Sequence, residues 1–193
     1  EALLARGEQV VAVVTHPDDP ADGDWFESVA DIARRNRLPL FAPPSPNVPG
    51  ITGALQALAP DVILSVWYRR LLGPALLGLP RIAALNLHGS LLPAYRGRAP
   101  LNWALVNGER RTGVTLHHMI PEADAGDIVA QAPIDIDPDD TALTLYERMV
   151  KTGVDLLVDS YPPVVEGTAS RWPQDPARAT FFGRRRPEHG RIH

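Results

Sequence analysis

Asn86 and His88 stand one residue apart at the end of an apolar run, IAALNLH, which breaks at once into Gly89, Ser90 and Pro93. On a β-strand, residues two apart project to the same face about 7 Å apart. An amide placed there can donate to an oxygen that gains negative charge. An imidazole beside it can move a proton near neutral pH, and the pair suits addition to a carbonyl. A carboxylate close to the ring would raise its pKa and fix its tautomer. The loop PEADAGD offers Asp124 and Asp127 for this role. Taken alone, either aspartate reads as well as a turn residue bonded to its own backbone. By the same reasoning His88 could cap a loop carbonyl and Asn86 satisfy backbone groups.

For the pair to meet a carbonyl, residues 82–88 must form a strand whose carboxyl end opens on a crevice, the place where parallel α/β sheets bind ligands. The rest of the chain supplies such a sheet. Strands are predicted over 9–17, 38–44, 61–68, 82–88, 112–119 and 127–136, and several are apolar enough to be covered on both faces. Helices are predicted over 25–36, 51–58, 71–80 (short and broken), 99–108 and 141–167, the last with an interruption at Gly153 and an end near Pro162. Residues 1–7, EALLARG, read as the back half of a helix stopped at Gly7. This alternation implies an α/β fold, an open, mostly parallel Rossmann-like sheet with helices on both faces. Residues 1–171 form the expected catalytic domain. Residues 172–193, rich in proline and arginine, are expected to form a strap or a linker toward a further C-terminal domain.

Composition narrows the chemistry. The 193 residues carry a formal charge of −4, so bulk electrostatics favour small-molecule chemistry over nucleic acid or an anionic membrane. There is no cysteine. That removes disulfides, thiolate metal ligands and a cysteine nucleophile, and fits a reducing, cytoplasmic compartment. No apolar run reaches the ~18 residues that span a bilayer.

The stretch Asn86-Leu87-His88-Gly89-Ser90-Leu91-Leu92-Pro93, with Tyr95-Arg96-Gly97, Pro100, Trp103 and then Asp124-Ala125-Gly126-Asp127, resembles the 10-formyltetrahydrofolate-dependent formyltransferase family. Within it, YRGRAPLNWALVNGERRTGVTLHHM and ADAGDIVAQ are most similar to domains that formylate UDP-4-amino-4-deoxy-L-arabinose in lipid A modification. The resemblance implies formyl transfer from 10-formyltetrahydrofolate, a co-substrate, to a primary amine through a tetrahedral intermediate, without a metal. It implies that Asn86 stabilises the oxyanion, His88 transfers the proton, and Asp124 holds His88 and raises its pKa. Folate contacts would come from Arg70, Leu71, Leu72, Arg98 and the run Ile120, Pro121, Glu122, Ala123 and Asp124. His118 stands where those domains usually carry arginine. The resemblance also implies a strand upstream of Glu1, lying between the 9–17 and 61–68 strands, so that an empty slot is expected there.

Other readings compete. A methionyl-tRNA formyltransferase would share the triad, and Arg184, Arg185 and Arg186 could face RNA, but the charge balance argues for an amino sugar. THPDDP resembles a zinc deacetylase motif, yet the remaining histidine pair, His117 and His118, would point to opposite faces of a strand. Asp18, Asp19, Asp22 and Asp24 then form a solvated loop capping the next helix. A serine hydrolase elbow at Ser90 lacks both flanking glycines. A non-catalytic folate-binding domain is the reading from outside enzymology. Trp103 is expected in the core.

Overall fold

The computed structural model describes residues 1–17 and 27–190, so the aspartates at 18, 19, 22 and 24 lie outside the described residues. In chain order the elements are α1 (Ala2–Ala5), β1 (Val13–Val14), α2 (Val29–Arg35), β2 (Leu40–Phe41), α3 (Pro49–Ala57), β3 (Val62–Val66) and α4 (Pro74–Leu77). They continue with β4 (Ala83–His88), β5 (Arg96–Gly97), α5 (Pro100–Val106), β6 (Arg111–His118), β7 (Ile128–Asp135), α6 (Ala142–Val165) and β8 (Phe181–Phe182). The fold is α/β and Rossmann-like. Ladders β1–β2, β3–β4 and β5–β8 are parallel, while β4–β6 and β6–β7 are antiparallel.

The main sheet has the order β3-β4-β6-β7, and β1-β2 is a separate two-stranded sheet. Among the described residues no ladder joins the two, and β3 is an edge strand. Its side chains are half-buried to exposed, whereas β4 is buried at five of six positions.

Helix α6 explains the buried face. Leu145, Met149, Gly153 and Leu157 recur every four residues on one stripe and pack with Leu85, Leu87, Val114 and Leu116 of the sheet. Gly153 does not interrupt the helix, contrary to the sequence expectation. A Cβ there would stand 3.0 Å from Leu87 Cδ2, so the missing side chain lets α6 approach β4. The helix ends near Pro162 as expected, at Val165, after running through Pro162 and Pro163. Proline has no N–H, so the cost is confined to the two carbonyls of the preceding turn, and this falls in the last turns. Thr141 starts the helix with a capping box, accepting from Thr144 N at 3.2 Å.

The opposite face of β6 is covered by the segment after β4. Thr115 Oγ1 donates to Ser90 O at 2.6 Å and accepts from Leu92 N at 3.1 Å, and Gln131 Nε2 donates to Leu92 O at 2.9 Å. This buried network fixes where the chain goes after His88.

Candidate active site

Alternation along β4 decides what its end presents. Leu85 and Leu87 face the core under α6, so Asn86 and His88 face the other side together. The antiparallel neighbour β6 adds a residue, because its register sets His117 directly opposite Asn86 and Thr115 opposite His88. His117 is 1% exposed and His88 5% exposed. The hairpin between β6 and β7 brings Asp124 over them.

These side chains meet on one oxygen. Asp124 Oδ1 lies 3.3 Å from Asn86 Nδ2, 3.5 Å from His88 Nδ1 and 3.5 Å from His117 Nε2. The other carboxylate oxygen accepts from Gly97 N at 2.9 Å. Asp127 is directed elsewhere, its carboxylate accepting from Arg171 Nε at 2.7 Å. Geometry thus selects between the two aspartates that the sequence offered. Asp124 itself has φ 53, as Trp67, Tyr95 and Ala99 near the same segments have φ 48, 61 and 51. Left-handed backbone at non-glycine residues costs about 1–3 kcal/mol each and is kept only where the surroundings enforce it. At Gly126, a Cβ would fall 1.9 Å from His118 O, so only glycine lets the Asp124 loop press onto β6.

Hydrogen bonds set the tautomers. His88 Nε2 lies 2.8 Å from Tyr95 O, which can only accept, so Nε2 carries the proton and Nδ1 is the free base position beside Asp124. His117 Nδ1 likewise donates to His118 O at 2.8 Å. Its bare Nε2 then accepts from Asn86 Nδ2 at 3.1 Å, which turns the amide hydrogens of Asn86 toward His117 and Asp124.

Asp124 raises the His88 pKa as expected, but burial decides the net direction. Removal from water, the largest influence, pulls the imidazole below its ordinary value, and Asp124 and the Tyr95 carbonyl only partly offset it. His117 adds to the depression. Burial also pushes Asp124 upward. The His117 and His88 rings, when they carry a proton on the nitrogen that faces it, and the Gly97 amide outweigh it and hold the carboxyl below its usual range. The resting pair is therefore a neutral imidazole facing an ionised carboxylate. When the ring gains a proton at Nδ1, both of its N–H groups face acceptors.

The remaining predicted residues line the neighbouring surface. Arg70 and Leu71 are exposed, Leu71 at 65%, and Leu72 is half-buried. Asn47, missed in the sequence because it lies in a proline-rich loop, pins this segment by donating to Leu71 O at 2.9 Å and accepting from Gly73 N at 2.6 Å. Arg98 reaches across to donate to Arg69 O at 2.6 Å. Ile120, Pro121 and Glu122 are exposed and Ala123 is half-buried. A cavity of about 200 Å³ lies beside the Asp124 loop, lined by Arg96, Glu122, Ala123, Ala179, Thr180 and Phe181. It is smaller than the roughly 300–1,000 Å³ of an enclosing small-molecule site.

The competing motifs have other partners. Ser90 is buried and its hydroxyl donates to Ala94 O at 2.6 Å. His16 stacks on Tyr68 and accepts from Arg69 N at 2.9 Å. Arg185 lies over the Trp103 ring, 4.9 Å from its centroid. Trp103 is half-buried rather than in the core cluster: its indole N–H donates to Gly183 O at 2.8 Å and its ring meets Phe182 and His189, so it anchors the C-terminal segment.

Solved structures similar to this chain include WlaRD, a sugar 3N-formyltransferase solved with dTDP and 5-N-formyl-tetrahydrofolate, with a TM-score of 0.73 at 23% identity, 90% of this chain and 59% of that one. PseJ from Anoxybacillus kamchatkensis, solved with UDP-4,6-dideoxy-4-formamido-L-AltNAc and tetrahydrofolate, has a TM-score of 0.66 at 23% identity, covering 88% of this chain and 84% of that one. An N-formyltransferase from Helicobacter canadensis, in complex with folinic acid and dTDP-3-aminofucose, has a TM-score of 0.75 at 22% identity, covering 95% of this chain. The chain spans 59% and 65% of the length of the first and third of these. At such identities the likeness shows the fold. A family model described as formyl transferase matches residues 2–160, and the chain belongs to the formyl transferase family.

Proposed function

We propose that this chain transfers the formyl group of 10-formyltetrahydrofolate to the primary amine of a nucleotide-linked 4-amino sugar, with UDP-4-amino-4-deoxy-L-arabinose as the acceptor its sequence most resembles. The observation that carries this reading is the convergence of Asn86, His88 and His117 on Asp124 Oδ1 at the end of β4. The relatives solved with folates and nucleotide sugars support it, as does the exposed apolar and arginine-bearing surface at 70–72, 98 and 120–123. The cytoplasm is the proposed compartment, and residues 1–171 and 172–193 are the proposed division into catalytic domain and strap.

Folate supplies an activated formyl group. The acceptor nitrogen bonds to the formyl carbon while the carbonyl electron pair moves onto oxygen. Asn86 donates an amide hydrogen to that oxygen, giving up its longer contact, the one at 3.3 Å to Asp124. His88, with Nδ1 free, takes the proton that the amine must lose and returns it to the folate nitrogen as the old carbon–nitrogen bond breaks. Asp124 stabilises the imidazolium formed in between. His117 fixes the orientation of the Asn86 amide.

The test is to supply the full-length protein with 10-formyltetrahydrofolate and a panel of UDP- and dTDP-linked 3- and 4-amino sugars beside methionyl-tRNA, and to identify formylated products by mass spectrometry. A formylated UDP-4-amino sugar as the best product is expected. Formyl-methionyl-tRNA as the best product would replace the acceptor assignment, and no formylated product with any amine would end the reading.

A further inference from the structure

We infer that Gln174, in the C-terminal strap, is a positioning residue that sets Asp124 for the transfer reaction. The inference rests on the function proposed above. A glutamine amide has two N–H donors and an oxygen with two lone pairs. Gln174 uses all four. Its Oε1 accepts from Arg96 Nε at 3.1 Å and Nη2 at 2.7 Å, and its Nε2 donates to Asp124 O at 2.8 Å and Gly126 O at 2.7 Å. The amide cannot be turned over, because that would set its oxygen against two carbonyls and its NH₂ against a guanidinium.

The two groups it joins are the two supports of the Asp124 carboxylate. One is the backbone of the left-handed residue that carries the carboxylate. The other is Arg96, whose successor Gly97 donates to Asp124 Oδ2 at 2.9 Å. Gln174 is half-buried between exposed neighbours on both sides, so it is the inward-turned member of its segment.

The strap does not depend on this amide to stay in place. Trp172 bridges to Ile128 through N···O contacts of 2.8 and 3.1 Å. Beyond Gln174, β8 pairs with β5, Thr180 Oγ1 accepts from Tyr95 N at 2.8 Å, and Trp103 holds Gly183. Loss of the amide should therefore release the Asp124 loop rather than the strap. Residues near 174 lie beyond the matched family segment, which ends at 160, so this support comes from outside it.

The test compares Gln174→Glu, Gln174→Ala and Gln174→Met with the parent protein. Gln174→Glu keeps acceptors for Arg96 and removes both donors to the loop, and Gln174→Met keeps length without polarity. Each folded variant is measured for kcat, for KM toward the folate donor, and for the tautomer and titration midpoint of His88 by nitrogen-15 NMR. The groups facing that ring are Asp124, His117 and the Tyr95 carbonyl. We expect kcat to fall about tenfold to hundredfold, as when outer partners of a site ligand are removed, with KM for the donor within about twofold. The His88 midpoint should move to lower pH, since Asp124 is the group that raises it. A kcat within about twofold of the parent, or a lowered kcat with the His88 midpoint unmoved, would overturn the inference. The NMR arm needs no turnover: if the parent transfers no formyl group, the function fails while the His88 signal still judges Gln174.

Discussion

Replacing His88 by alanine in the full-length protein is expected to lower the single-turnover rate of formyl transfer by about 10²–10⁴, the usual worth of a placed proton-transfer group. The ring is 5% exposed and held through Nε2 by Tyr95 O, which leaves Nδ1 as its one free base position beside Asp124. His117, the other imidazole at the site, has its Nε2 committed to Asn86. Its ring centroid stands 6.4 Å away. In the proposed mechanism His88 meets the reacting amine rather than the folate surface, so KM for the donor should change little. The pH profile carries a second signature. In the proposed mechanism His88 works as a neutral base, and burial holds its pKa below the ordinary value. The acid limb of the parent profile should therefore lie below the ordinary imidazole range, and activity should be lost only as pH falls through that depressed value. In His88→Ala this limb should disappear.

Asn86→Ala is expected to lower the same rate by about 10²–10³, the effect of losing one oxyanion donor, or roughly 3–4 kcal/mol of barrier. The substitution also strips the buried His117 Nε2 of its donor, and an unsatisfied buried acceptor costs about 1–3 kcal/mol of stability. Rate and thermal unfolding must accordingly be measured on the same samples. A catalytic role predicts a rate loss that persists per folded molecule. A purely structural amide would lower the melting temperature and leave the rate of the folded fraction unchanged.

The elements that place this site were legible because each is driven by a local pattern. The alternation in IAALNLH put Asn86 and His88 on one face, and the strand is buried where the pattern requires. What could not be read locally was who stands beside them. His117 enters because β6 runs antiparallel to β4, which brings residues 31 positions apart into register. Seen within its own strand, it was only one of two histidines on opposite faces. Gln174 lies 50 residues after Asp124 in a segment with no periodicity, and only the folded strap shows its four contacts. The net direction of the His88 pKa lay beyond local reading for a related reason: Asp124 raises it as expected, and burial outweighs that contribution. A neighbouring carboxylate can be inferred from sequence, but the depth of burial that outweighs it depends on β6 and the segment that follows β4 closing over the ring together. Gly153 follows the same logic, reading as a helix breaker alone and acting as a point of close approach once β4 is beneath it.

The central claim is that imidazole and carboxylate act as one unit on a single formyl group. It is tested most directly by single-turnover formation of the formylated amino sugar with the parent, His88→Ala, Asp124→Ala and the double variant. The account predicts that the double variant is within about threefold of the slower single one, because residues that act as a unit are strongly non-additive. Losses that multiply in the double variant would show that Asp124 works independently of His88, and would contradict it.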